Sequence, residues 1–137
     1  MMENTNDISH ILRLLPGDDL RLSIENFVNE HAIEAGWMVT CVGSLTTYSI
    51  RFANQKNSSN GNGYFEIVSL MGTVSINGCH LHISIADDKG KTIGGHLLHG
   101  CVIYTTAEIV LTNSSTYIFT REKDDNTGWN ELHVKKK

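Results

Sequence analysis

The sequence predicts an α+β fold: a mostly antiparallel β-sheet sandwich with one main helix packed on a face. Three observations lead there. About seven or eight short runs rich in β-branched and aromatic residues recur along the chain, several of them alternating apolar with polar. Clusters of Gly, Asn, Asp and Ser join successive runs by short turns, the pattern of antiparallel pairing. A single segment, beginning at Leu20, carries apolar residues at helical spacing. Strands in series with one segregated helix make an α+β architecture.

The chain has 137 residues, enough for one domain with a real core. No repeat, low-complexity tract or linker divides it. The domain is expected to span 10–134, after a disordered polar N-terminus at 1–9 and before a basic tail at 135–137. Net charge is −4 with a pI near 5.9, and Lys and Arg are scattered except in that tail. An autonomous DNA-binding domain normally concentrates basic residues against phosphates, so the charge argues against tight DNA binding. No apolar run approaches the ~20 residues a membrane span needs, and Met1–Ser9 lacks the basic flank and apolar core of a signal peptide. The cytoplasm is the expected location. Cys41, Cys79 and Cys101 are odd in number and lie in apolar runs, which fits free thiols in a reducing compartment.

Taken in order, Ile8–Leu15 reads as a strand ended by Pro16-Gly17. Asp18-Asp19 supplies an N-cap, and Leu20, Ile24, Phe27 and Val28 form the apolar stripe of a helix running to about Glu30. Trp37–Val42 is a buried strand that Gly43-Ser44 is expected to interrupt, with Leu45–Phe52 as its successor. Asn54–Gly63, rich in Asn, Ser and Gly, reads as a mobile loop. Tyr64–Val74, Cys79–Ile85, Val102–Thr112 and Tyr117–Arg121 are further strands, with a last short one at Glu131–Val134.

The chemistry concentrates between Gly78 and His99, which holds four of the seven histidines. On a strand over Cys79–Ile85, His80 and His82 share one face, while Leu81 and Ile83 face the core. Asp87-Asp88-Lys89-Gly90 is a turn. The returning strand delivers His96 beside the pair. Three neutral imidazoles on adjacent strands make an open metal site. The same spacing would also arise from two solvated histidines on a polar strand face and a third bonded at a strand end.

Leu12-Arg13-Leu14-Leu15-Pro16-Gly17-Asp18, Gly43-Ser44-Leu45, Gly63–Gly72, His80-Leu81-His82, Gly94-Gly95-His96 and Thr105-Thr106-Ala107-Glu108 together resemble the motifs of the PPC domain, the plant and prokaryote conserved domain. The likeness runs from about Ile11 to Val134 with the motifs in order. It implies an α+β fold and a homotrimer. In plant members the domain follows AT-hooks and looks like an assembly and partner-binding module. The segment resembling their partner-contact region is Gly63, Tyr64, Phe65, Glu66 and Ile67 here. This chain has no Arg-Gly-Arg-Pro core, so it departs from the plant pattern at the part that reads DNA. The histidines resemble those of stand-alone prokaryotic members, which look like a three-His metal site. The resemblance thus implies His80, His82 and His96 as ligands, with zinc as the ion that suits neutral imidazole.

Two functions from different classes follow. The first is a DNA-associated or transcription-related homotrimeric assembly module carrying a three-His zinc site, with a protein partner or weak DNA contact and no membrane. The second is a small zinc-dependent enzyme of hydrolase or lyase type. An open zinc site acts as a Lewis acid, and such an enzyme needs a nearby general base. Glu66 and Glu108, carboxylates in β-rich runs, are the candidates, although either is also what an exposed strand face would carry.

Overall fold

The computed structural model describes residues 6–137. The elements are β1 (Ile8–Leu14), α1 (Leu20–Glu30), β2 (Gly36–Arg51), β3 (Ser59–Val74), β4 (His80–Ala86), β5 (Thr92–Leu97), β6 (Val102–Asn113), β7 (Tyr117–Lys123) and β8 (Asn130–Lys136). Of the expected disordered N-terminus, residues 1–5 lie outside the described residues. Ile8 and Ser9 already belong to β1, where Ile8 pairs with Asn113 and Ser9 with Thr112.

Helix α1 starts where the sequence places it. Asp19 is the N-cap, and its Oδ1 accepts the Leu22 backbone N–H at 2.9 Å. Leu20, Ile24 and Val28 are fully buried and join residues of β2, β3, β4 and β6 in one core. The α+β class and the mostly antiparallel sheet with a single helix both hold. The layers arise from one six-stranded sheet in the order β1-β6-β2-β3-β4-β5, which curls until β5 meets the end of β2. There Ile50 pairs with Leu97 and Arg51 with His96, so β2, β3, β4 and β5 form a closed ring. Register shifts in β2 and β3 mark the bulges, and bulged strands bend.

Two expectations are corrected. Gly43-Ser44 does not end a strand: β2 runs unbroken for 16 residues. Gly43 is there because β6 passes so close that a Cβ would stand 2.2 Å from the Thr106 carbonyl oxygen. The loop expected over Asn54–Gly63 is shorter, because Ser59–Gly63 opens β3. Ser59, Asn60, Gly61 and Asn62 pair with Ile50, Ser49, Tyr48 and Thr47, and Thr47 Oγ1 bonds Asn62 Oδ1 at 3.1 Å. Cross-strand pairing satisfies the backbone of this polar run, which composition alone would assign to a loop.

Strands β7 and β8 form a separate two-stranded ribbon. An isolated ribbon is marginal in water, so its anchors matter. Phe119 N–H donates to the Glu34 carbonyl at 2.8 Å. The Ser75 hydroxyl and Asn77 amide both donate to the Phe119 carbonyl, and Arg121 Nη2 donates to Thr73 Oγ1 at 2.8 Å. The basic end is partly structured as well, with Lys135 and Lys136 in β8 and Lys137 Nζ 2.8 Å from Glu34. Among the described residues, no helix is long and apolar enough to cross a membrane.

Candidate metal centre

Strand alternation puts His80 and His82 on one face of β4, and the β4–β5 register sets His96 directly opposite His82. Ligand nitrogens of the three lie within 4.8 Å of one another, and His80 Nε2 is 3.2 Å from His82 Nε2. Two imidazole nitrogens on one tetrahedral zinc, each about 2.0–2.1 Å away, stand about 3.3–3.4 Å apart. The His80/His82 pair is already at that spacing, and the widest separation needs to close by only about 1.5 Å. The donor set therefore fits a three-nitrogen metal centre.

The surroundings favour the neutral, ligand form of His80 and His96. Burial, with Arg51 next in effect, pushes His96 down to about 4. Burial, followed by the His82 and Arg121 charges, lowers His80 as well. Neutral imidazole is the species that coordinates a metal.

His80 and His96 open onto a cavity of about 950 Å³. The ribbon walls it with Arg121, Trp129 and Glu131, and β2 contributes Arg51. Sequence reasoning missed all four. Arg121 and Glu131 lie in runs read as strands, but no local signal shows that the ribbon folds over the histidine hairpin.

The other nominated residues go elsewhere. Glu66 is exposed and pairs with Ala86, four residues along β4 from His82 and so about 13 Å away. Glu108 is exposed on β6, between Arg13 and Val42. Neither carboxylate is at the triad. Within the nominated contact segment, Ile67 is buried and Phe65 packs on the core with its ring 5.1 Å from Tyr48. Tyr64 and Glu66 point outward. His99 also stands apart from the triad, with Nε2 2.7 Å from Glu25 Oε2. Cys41 and Cys101 are buried and Cys79 partly so, all three as free thiols.

Among the described residues, an antiparallel sheet closed on itself, one helix, and three clustered imidazoles, two of them lining a cavity, define a small α+β protein with a candidate metal centre. The chain belongs to the Plants and Prokaryotes Conserved (PCC) domain family, whose model matches residues 1–115. The match ends before β7, so Arg121, Trp129 and Glu131 lie beyond it. Over 125 residues the chain is 46% identical to the bifunctional protein GlmU of Synechococcus sp. (strain JA-3-3Ab), covering 91% of this chain and 20% of that protein. It thus spans about a fifth of that relative's length. A hypothetical protein from Salmonella enterica superposes with a TM-score of 0.95 at 34% identity over 98% of each chain. A metal-containing protein from Archaeoglobus fulgidus superposes with a TM-score of 0.78 at 27% identity, over 96% of this chain and 99% of that one.

Proposed function

We propose that His80, His82 and His96 hold one zinc ion, and that the chain is a small zinc-dependent enzyme of hydrolase or lyase type acting on a molecule in the adjoining cavity. The observation that carries this reading is three imidazole donors within 4.8 Å of one another, two of which, His80 and His96, line a cavity of about 950 Å³. The likeness to a metal-containing protein supports it. When bound, zinc supplies Lewis-acid chemistry. The chain's own residues supply the rest. Glu131 is the carboxylate lining the cavity. Thr127 donates its hydroxyl to Glu131 Oε1 at 3.0 Å, which orients the group and leaves Oε2 to take a proton from a substrate. Glu131 replaces Glu66 and Glu108 in that role.

A second reading, the homotrimeric assembly module, is supported by a different surface. Ile11, Val42 and Tyr104 are exposed on the outer face of the sheet, and Tyr64 sets its ring 5.1 Å from that of Tyr104. These exposed apolar side chains, interspersed with Arg13 and Glu108, suit burial against another copy. The two readings are compatible, and a net charge of −4 limits any DNA binding to weak, salt-sensitive contact.

The test is metal content by mass spectrometry on tag-free protein purified without chelators, beside the His80→Ala/His82→Ala variant. Stoichiometric zinc in the parent and none in the variant is the expected result. Absence of metal from both removes the enzyme reading and leaves the assembly module.

A further inference from the structure

We propose that the cavity beside the three histidines takes a small organic oxyanion, a carboxylate or a phosphate, gripped by Arg51 and Arg121. The two guanidinium groups flank the triad from opposite sides. Arg51 is the cross-strand partner of His96, so its side chain leaves the same face of the ring. Cβ atoms of such partners are about 4.5–5.5 Å apart. Arg121 arrives from β7 on the other side. It donates Nη2 to Thr73 Oγ1 at 2.8 Å, and Thr73 is the cross-strand partner of His80.

Both guanidiniums are positioned by neutral groups. Arg51 lies with Cζ 5.8 Å from the centre of the Trp129 ring, and its Nη1 makes one long contact, 3.4 Å, to the Gln55 carbonyl. Among the described residues, neither Arg51 nor Arg121 has a carboxylate partner, whereas Arg21 pairs with Glu25 and Lys135 with Glu122. A guanidinium has five N–H donors in a planar fork, so each keeps donors for a two-point grip on a planar or tetrahedral oxyanion. Lys56 adds a third cation to the lining, against one carboxylate, Glu131. The cavity is therefore net positive in a chain that is net negative. A local reversal of sign in a concave site draws anions in. The Trp129 ring, with Arg51 over one face, adds apolar surface to the cavity wall.

The identity of the reacting centre rests on the zinc reading, but the anion grip does not, and the experiment separates them. Isothermal titration calorimetry is run on the full chain, zinc-loaded and chelator-treated, with inorganic phosphate, succinate and the neutral analogue succinamide at millimolar concentrations. At least one anion is expected to bind and succinamide is not. Preference between phosphate and succinate tells the two oxyanion classes apart. Arg51→Gln and Arg121→Gln are each expected to weaken binding by about tenfold or more, since each removes charge-assisted hydrogen bonds. They should leave zinc content unchanged. Arg51→Lys, which keeps the charge and loses the fork, should fall between parent and Arg51→Gln. If the parent holds no zinc yet binds an anion through the arginines, the zinc reading fails and the anion site stands. If zinc is stoichiometric but neither anion binds, or the variants bind as the parent does, or succinamide binds equally well, the anion site is overturned.

Discussion

Gly72→Ala should separate β3 from β4 at the place where the three clustered histidines are carried. Gly72 pairs with Leu81, between His80 and His82, and has φ +146°. A Cβ there would stand 1.9 Å from the His80 carbonyl oxygen, 2.9 Å from its carbon and 3.0 Å from Leu81 Cα. Carbon-to-oxygen contacts in sheets are normally about 3.3–3.6 Å, so the strands must part by roughly 1.4 Å. That takes an N···O distance of about 2.9 Å beyond hydrogen-bond range. The backbone conformation adds strain of about 1–3 kcal/mol, and each lost ladder bond about 0.5–1.5 kcal/mol. With two such bonds lost the sum is about 2–6 kcal/mol, which reaches the severe tail for single substitutions. Gly90→Ala is the control. Its φ is +79° but no atom lies within 4 Å of the added Cβ, so only conformational strain of about 1–2 kcal/mol is expected. Urea titration gives both values from the shift in midpoint at constant slope. Metal–nitrogen bond lengths keep within about 0.2 Å of their ideal values, and parting β3 from β4 moves the backbone that carries His80 and His82, so Gly72→Ala should also lose zinc where Gly90→Ala keeps it. If Gly72→Ala unfolds at the same urea concentration as Gly90→Ala and retains zinc, the reasoning from strand approach is wrong.

Three further predictions concern other parts of the molecule. Burial raises the Glu25 carboxyl, but the hydrogen bonds and charges of His99 and Arg21 outweigh it and hold the group below its ordinary value. Glu25 therefore stabilises the fold above the ordinary carboxylate range and loses that contribution as pH falls through its depressed folded value. Glu25→Gln should cost about 1 kcal/mol near neutrality, because the pair is partly exposed, and should flatten the acid limb of a stability–pH curve; an unchanged limb would exclude this role. Burial pushes the Cys41 and Cys101 thiols up to about 11. At about pH 8 a thiol-specific reagent should modify them only as the chain unfolds, and rapid labelling of the native protein would contradict their burial. Val42→Asp places a second carboxylate opposite Glu108 on the outer face; light scattering should find the parent trimeric and the variant dissociated, and a monomeric parent would refute the proposed assembly.

Much of this protein is fixed locally in its sequence. The Asp19 cap and the Leu20–Ile24–Val28 stripe specify α1 from contacts one turn apart. Strand alternation alone puts His80 and His82 on one face, and the Asp87–Gly90 turn returns His96 to their side, because a hairpin's register follows from its turn. Tertiary structure decided what depends on distant segments. The closure of β5 onto β2 sets Arg51 opposite His96 across 45 residues of chain. The ribbon brings Arg121, Trp129 and Glu131 over the hairpin through bonds to Glu34, Thr73, Ser75 and Asn77. The continuity of β2 through Gly43 and the entry of Ser59–Gly63 into β3 depend on which strands lie alongside. Local composition there signals a break, and cross-strand hydrogen bonding overrides it. The exclusion of Glu66 and Glu108 from the site has the same origin: a carboxylate's chemistry is set by what the sheet places beside it, and pairing partners are chosen by the whole fold.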